Sequence, residues 1–171
     1  MLNPMSSLGL IVTSVAVLAL AGHAQAQDRG EVVSRFTSIW PHDCTETGDG
    51  SAEDQDWVSY RCEGQGGIPV FLFFSDGVRL SLGFGDQAAP FMGYQADRAE
   101  NWPVEWRGRV INGRFVPHAE IARMKTFTAD GDLGGSELVV FGLRATTCVL
   151  GNVRGAHANE DARRLAESGR C

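Results

Sequence analysis

The sequence lacks the short motifs that identify many enzymes and metal proteins. It has no Gly-x-Ser-x-Gly nucleophile elbow and no Cys-x-x-Cys pair of the kind that binds structural zinc. Gly83-x-Gly85 is followed by neither the third glycine nor the βαβ unit of a dinucleotide site. Residues 130–132 begin like an EF-hand loop, but Phe141 stands at the position where the bidentate glutamate is required. We therefore expect no metal ion and no cofactor.

An excess of positive charge is also missing. The 15 lysine and arginine residues are outnumbered by 21 aspartate and glutamate residues, which gives a formal net charge of -6. Nucleic-acid binding depends on lysine and arginine, and so does attraction to anionic membrane surfaces. The composition therefore argues against both kinds of partner.

Long apolar runs are confined to the start of the sequence. Leu8 to Ala21 is almost wholly apolar, and Ala24-Gln25-Ala26 is a small-x-small cleavage pattern. Although no lysine or arginine precedes the run, we interpret residues 1–26 as a secretory signal peptide, too short to span a bilayer comfortably. Residues 27–171 then form a single exported domain, periplasmic or secreted, with no stable membrane insertion after the signal is removed.

The cysteine count fits an exported protein. An even number of cysteines in an oxidising compartment predicts a disulfide framework with three possible pairings of Cys44, Cys62, Cys148 and Cys171. We favour Cys44–Cys62 and Cys148–Cys171, because neighbours in sequence meet at the lowest entropic cost. Each bond would close a loop of about twenty residues and contribute roughly 3 kcal/mol.

Short apolar stretches separated by turn residues predict strands. Trp57–Cys62 has strand composition, and 68–74 is apolar on both alternate sets, which predicts a central strand covered on both faces. The segments 78–84 and 104–110 alternate between apolar and polar residues, and Asn112-Gly113 is a strong hairpin signal. Pro117 indicates an edge strand or an interruption. The segments 32–40 and 119–127 fit either a helix or a strand, and we assign both to strands.

The stretch from Glu137 to Cys171 predicts strand, turn, strand and helix. In the helix, Asn159 is the expected N-cap, and a narrow apolar stripe recurs at helical spacing. Its members are Ala162, Leu165 and Ala166, with Arg163, Arg164 and Glu167 facing away. The chain as a whole is thus expected to be α+β, a single domain with an antiparallel sheet of about seven short strands, a C-terminal helix and two disulfides.

Three segments carry a resemblance to known proteins. They are Tyr60-Arg61-Cys62-Glu63-Gly64 with 67–70, the Arg79 strand running into Gly83-Phe84-Gly85, and 147–151 with Asn159, Ala162-Arg163 and Cys171. In these segments the chain resembles a group of small exported, disulfide-containing proteins of proteobacteria. These proteins are uncharacterised and have no known activity. The resemblance implies a shared fold and disulfide framework and no transferable function.

The candidate binding residues are arginines and tryptophans near the Asn112-Gly113 turn. Arg107 and Arg109 alternate outward on one strand and Arg114 follows the turn, so the three form a basic ridge that suits a carboxylate or phosphate. Trp102 and Trp106 lie beside this ridge, and tryptophan is enriched at binding hot spots. An ordinary solvent face, with Glu105 as ion-pair partner, and core packing of the tryptophans are the competing interpretations.

No catalytic residue is assigned from the sequence. Three histidines follow the signal segment, His42, His118 and His157, and each has the polar or Gly/Pro-containing neighbours of an exposed loop. We therefore expect a non-catalytic exported binding module. Its ligand would be an unknown envelope component or an unknown protein, such as an enzyme that the module inhibits. The alternatives are a small envelope hydrolase with a carboxylate or histidine site, and a purely structural envelope protein.

Overall fold

The computed structural model describes residues 30–50, 56–75, 79–85, 94–95, 103–128, 130, 132–143, 147–169 and 171. The expected signal peptide at 1–26, Trp102 and Gly131 lie outside this described part of the chain.

The strands of the described residues form two sheets of five, in which every neighbouring pair is antiparallel. Sheet I has the order β1 (Val32–Ser38), β7 (Pro103–Ile111), β8 (Arg114–Phe127), β9 (Leu133–Leu143), β10 (Thr147–Val153). Sheet II has the order β2 (Thr45–Asp49), β3 (Trp57–Cys62), β4 (Val70–Ser75), β5 (Arg79–Phe84), β6 (Tyr94–Gln95). A helix, α1 (Ala158–Ser168), follows β10. The antiparallel α+β character is confirmed, whereas the expectation of one sheet with about seven strands is wrong.

The β7–β8 hairpin forms where the sequence predicts it. Asn112 and Gly113 both have positive φ, 50° and 76°, as a two-residue type I′ turn requires. Further along β8, Gly108 pairs with Pro117 but Arg107 pairs with Ala119, so β8 has one more residue than β7 at this point. The interruption expected at Pro117 is therefore a β-bulge, which re-aims the side chains that follow.

The two sheets pack face to face through aromatic side chains. Phe84 of sheet II lies 6.3 Å from the Trp106 ring and 4.8 Å from the Phe141 ring of sheet I, centroid to centroid. Trp106 is 0 % exposed, and its Nε1 donates a hydrogen bond to Thr37 Oγ1 at 3.0 Å. This contact joins the centre of the core to the end of β1.

The outer face of sheet II differs from the sequence-based expectation. Along β4, Val70, Leu72 and Phe74 are buried, whereas Phe73 is 42 % exposed and stacks on Trp57 with 5.8 Å between ring centroids. The prediction of a strand covered on both faces is wrong, because the helix packs on sheet I instead. The apolar run at 68–74 therefore corresponds to a strand with one buried face and one outer face that carries an exposed aromatic ring.

Helix α1 covers the outer face of sheet I. Ala162 and Ala166 are buried against Ile121 and Val140, as the apolar stripe predicts. The N-cap is His157 and not Asn159. The helix thus begins two residues earlier than the capping pattern indicates.

Both favoured disulfides are present. Cys44–Cys62 spans 18 residues and Cys148–Cys171 spans 23. A Cβ at Gly142 would lie only 2.6 Å from Cys171 Sγ, so the close approach of the second disulfide to β9 requires glycine there. The second bond ties the chain beyond α1 back to β10.

We expect the double variant Cys148→Ser with Cys171→Ser to lower the free energy of unfolding by about 3 kcal/mol, because it releases a closed loop in the unfolded chain. Amide hydrogen exchange should also rise in α1, whose far end loses its covalent tie. The matched control, Cys44→Ser with Cys62→Ser, should cost a similar free energy without raising exchange in α1. Equal exchange in α1 for the two double variants would contradict this assignment.

Candidate functional site

The arginines of the basic ridge are engaged by the protein itself. The Arg107 side chain is 14 % exposed and donates from Nε and Nη2 to Glu167 Oε1 at 3.1 and 2.8 Å. Arg109 donates from Nη1 to the carbonyl oxygen of Gly30 at 2.7 Å. Arg114 lies exposed beyond the turn. The ridge is therefore not a set of three arginines projecting together toward solvent.

Arg107 belongs to a polar cluster that docks the helix on sheet I, which we call the helix-docking cluster. Its members are Ser34, Glu105, Arg107, His118, Arg163 and Glu167. Arg163 donates from Nε and Nη2 to the two oxygens of Glu105 at 2.7 and 3.1 Å, and these hydrogen bonds raise the pKa of the guanidinium. Arg163 and Glu167 were expected to face away from the sheet, so their part in docking corrects that expectation.

Trp106 does not contribute to an exposed binding surface. It lies on the core face of β7, on the opposite side of the strand from Arg107, and it is fully buried. Its assignment as a ligand-binding residue is corrected, because a side chain without exposed surface cannot contact an external ligand. Trp102, the other tryptophan of this candidate set, lies outside the described residues.

The three buried carboxylates of the described residues differ in whether they have a hydrogen-bond partner. Glu105 pairs with Arg163, and Glu137 accepts from Arg154 Nε at 2.7 Å and from Asn152 Nδ2 at 2.9 Å. Glu120 is 0 % exposed, and neither of its oxygens has a hydrogen-bond partner in the described part of the chain. Desolvation raises the pKa of Glu120 well above the ordinary glutamate value.

Glu120 faces the core and not a solvent-accessible site. It pairs with Trp106 on one side and with Phe141 on the other, so its side chain shares their face of sheet I. His118, near it on β8, lies on the helix side, where its Nε2 is 3.5 Å from Glu167 Oε2. The two groups are thus separated by the sheet and do not form an acid–base pair.

A cavity of about 350 Å³ opens where the chain crosses from sheet I to sheet II. It is lined by Trp40, Pro41, His42, Val58, Tyr60 and Phe74, and we call it the crossover pocket. Its volume lies near the lower end of the range for small-ligand pockets, about 300–1,000 Å³. A pocket of this size suits a small molecule or one side chain of a partner.

The crossing segment is fixed by short-range contacts. A 3₁₀ turn covers Pro41–Asp43, where the amide of Asp43 donates to the Trp40 carbonyl at 2.8 Å and that of Cys44 to the Pro41 carbonyl at 3.1 Å. The Cys44–Cys62 disulfide then joins the turn to the end of β3. Because the wall is held before any ligand arrives, binding would cost little ordering entropy.

Aromatic rings line the pocket, and one carboxylate lies next to a lining residue. The Trp40 and His42 rings are 5.4 Å apart at 75°, and the Tyr60 and Phe74 rings are 6.1 Å apart at 82°. Asp43 adjoins His42, with 3.1 Å between Oδ1 and Nε2. The pocket therefore combines apolar walls with a few polar groups, the usual composition of a ligand site.

Sequence reasoning missed this pocket. Trp40 ends the strand predicted at 32–40, and His42 has the neighbours of an exposed loop residue. The signal present was a Trp-Pro-His triplet directly before a disulfide cysteine, a short rigid turn with two rings. Its partners, Tyr60 and Phe74, come from other strands, and only the tertiary fold joins them to it.

Comparisons with protein-family models, with curated proteins and with solved structures return no match to this chain. In the part of the chain that the structure describes, no helix is long and apolar enough to cross a membrane, and no group of three or more His, Cys, Asp or Glu side chains is arranged to hold a metal ion.

We predict that Glu120→Met raises the free energy of unfolding at neutral pH by about 1–3 kcal/mol, because it replaces an unpaired buried carboxyl group by an apolar side chain of similar length. The matched control is Glu137→Met, which removes two hydrogen bonds to Arg154 and Asn152 and should give no such gain. Chemical denaturation of both variants measures the difference. Destabilisation by Glu120→Met would show that Glu120 has an essential partner.

The pH dependence of stability should also change in Glu120→Met. Above about 4.3, the ordinary pKa of glutamate, the unfolded chain loses this proton while the folded chain keeps it, because burial raises the pKa of Glu120. The native protein therefore loses stability from Glu120 as pH rises from that value toward the raised pKa of the folded state. Urea denaturation across this window should show the stability advantage of Glu120→Met over the native chain growing as pH rises, and parallel profiles would contradict the raised pKa.

Proposed function

We propose that residues 27–171 form an exported, non-catalytic binding module and that the crossover pocket receives its ligand. The observation that carries this proposal is the pocket itself, an aromatic-lined cavity whose wall is fixed by a disulfide and a 3₁₀ turn. Such preformed apolar cavities with a few polar groups are the default ligand sites of small domains.

Export is part of the same proposal. Both disulfides are closed and no cysteine is left free, and such bonds persist in oxidising compartments such as the periplasm or the exterior. The signal-peptide pattern at 1–26 points to the same place, as does the resemblance to small exported proteins of proteobacteria, which stays a prediction. The partner that we propose is a protein or another component of the cell envelope.

Binding fits the described residues better than hydrolysis does. A hydrolase needs a carboxylate or histidine within reach of its substrate, but Glu120 is buried in the core and His118 is held beside Glu167 under the helix. His42 lines the crossover pocket with Asp43 beside it, but the described lining includes no serine, threonine or cysteine nucleophile for it to activate. The crossover pocket is accessible instead, and its lining is mainly aromatic and apolar. We therefore place the function in recognition.

An affinity experiment with the purified, oxidised chain tests this proposal. We expect immobilised residues 27–171 to retain at least one protein or small molecule from an envelope extract, and Trp40→Ala to lose it, because this variant removes a wall of the pocket. Mass spectrometry of eluted proteins and small molecules provides the measurement. Circular dichroism and thermal unfolding establish that each variant is folded.

Two control variants locate the effect. Trp57→Ala removes the tryptophan that stacks on Phe73 at the outer face of sheet II, and Arg114→Ala removes the exposed arginine of the basic ridge. Both should retain what the native chain retains. The proposed site would be contradicted if Trp40→Ala still retained the component, or if only Arg114→Ala lost it. It would also be contradicted if the native chain retained no component of the extract.

A further inference from the structure

We propose that the ligand of the crossover pocket carries an alkylated ammonium group, as in choline-like compounds. This inference rests on the proposed function and specifies the chemistry of that same site. It follows from two features of the described residues: the aromatic side chains that line the cavity and the carboxylate of Asp43 beside the lining residue His42.

The walls bring several aromatic rings to one small volume. Trp40, Tyr60 and Phe74 all line the cavity, and the steep angles within the two ring pairs, 75° and 82°, turn ring faces in different directions. The face of an aromatic ring is the negative part of its quadrupole, and a cation near several faces gains from each. Recognition of quaternary ammonium groups by aromatic cages uses this arrangement.

Two carboxylates are neighbours of residues that line the pocket. Asp43 lies beside His42 at the turn and accepts a hydrogen bond from Ser38 Oγ at 3.3 Å. Glu46 pairs with Tyr60 across β2 and β3, so the two side chains emerge on the same face of sheet II. These carboxylates, within a chain of net charge -6, complement a cationic ligand and disfavour an anionic one.

The nearest arginine in sequence is directed elsewhere. Arg61 follows Tyr60 in β3, and successive side chains of a strand point to opposite faces. Its Nη1 is engaged by Glu63 Oε1 at 2.7 Å. Arg61 therefore does not lie on the face of the sheet that Tyr60 and Glu46 share.

An alkylated ammonium fits this pocket better than a primary one. The lining side chains are mostly apolar or aromatic, and a primary ammonium entering among them would lose strong hydration and leave donors to be satisfied. A quaternary ammonium has no N–H donor and an apolar methyl surface, so it loses less on entering. The pocket thus favours a methylated cation over a lysine side chain.

The direct test compares choline with its neutral isostere, 3,3-dimethyl-1-butanol, by isothermal titration calorimetry on oxidised residues 27–171 at neutral pH. We expect choline to bind at least about tenfold more tightly, because a desolvated cation–π contact contributes about 2 kcal/mol and about 1.4 kcal/mol is tenfold in affinity. Nα-acetyl-lysine methylamide serves as a protein-like primary ammonium and should bind more weakly than choline. Tighter binding of the lysine compound would overturn the assignment to an alkylated ammonium.

Three variants connect the affinity to the pocket. Tyr60→Leu removes one ring while it keeps an apolar side chain and should weaken choline binding several-fold, whereas Trp57→Leu on the opposite face should leave it unchanged. Asp43→Asn keeps an acceptor for Ser38 but removes the charge, and should weaken choline without affecting the neutral isostere. Choline binding that is unaffected by Tyr60→Leu and Asp43→Asn would overturn the placement.

The failures of the two proposals are distinguishable. If both choline and its neutral isostere bind equally and Tyr60→Leu weakens both, the pocket is a ligand site but the cationic ligand is wrong. If neither compound binds while Trp40→Ala still loses a component of the envelope extract, the cation is again wrong and the binding function stands. If neither compound binds and Trp40→Ala loses nothing, both proposals fail.

Discussion

The hydrogen bonds at Thr37 hold together the parts of the structure on which the rest depends. Thr37 Oγ1 accepts from Trp106 Nε1 at 3.0 Å and from Gln65 Nε2 at 3.2 Å, so one hydroxyl joins β1, β7 and the turn after β3. A Cβ at Gly64 would lie 2.6 Å from Trp106 Cζ2, which shows how closely that turn approaches the indole ring. The buried indole thereby satisfies its only polar group and sets the distance between the two sheets.

The crossover pocket follows from this constraint. Because Thr37 is fixed, the end of β1 is fixed as well, and Ile39 enters the core two residues later. Trp40 and the 3₁₀ turn must then cross to sheet II within a few residues, where the Cys44–Cys62 bond holds them against β3. The pocket is the space left between this short crossing and the inner face of sheet II.

The sequence predicts local structure here much better than it predicts which parts meet. Strands at 57–62 and 104–110, the Asn112-Gly113 turn and the helix after β10 all have signals in their own residues, and all are present. Strand β2 was missed because its residues, Thr45–Asp49, are polar and show no apolar alternation. The division into two sheets was missed because pairing order depends on contacts between distant segments.

The candidate site illustrates the same limit. Alternation correctly put Arg107 and Trp106 on opposite faces of β7, but it could not indicate that Glu167 and Ser34 would engage the arginine. Neither could it reveal that Glu120, which falls on the core face of β8, would be left without a partner in the described chain. Both facts depend on the position of the helix and of the opposite sheet.

The central claim is that ligands enter at the crossover pocket and not at the arginines near the β7–β8 turn. Two-dimensional NMR of isotope-labelled residues 27–171, titrated with a set of small cationic, neutral and anionic fragments, tests it most directly. The account predicts that shift changes converge on Trp40, His42 and Tyr60 and are largest for cationic fragments. Changes centred on Arg114, or largest for anionic fragments, would contradict it.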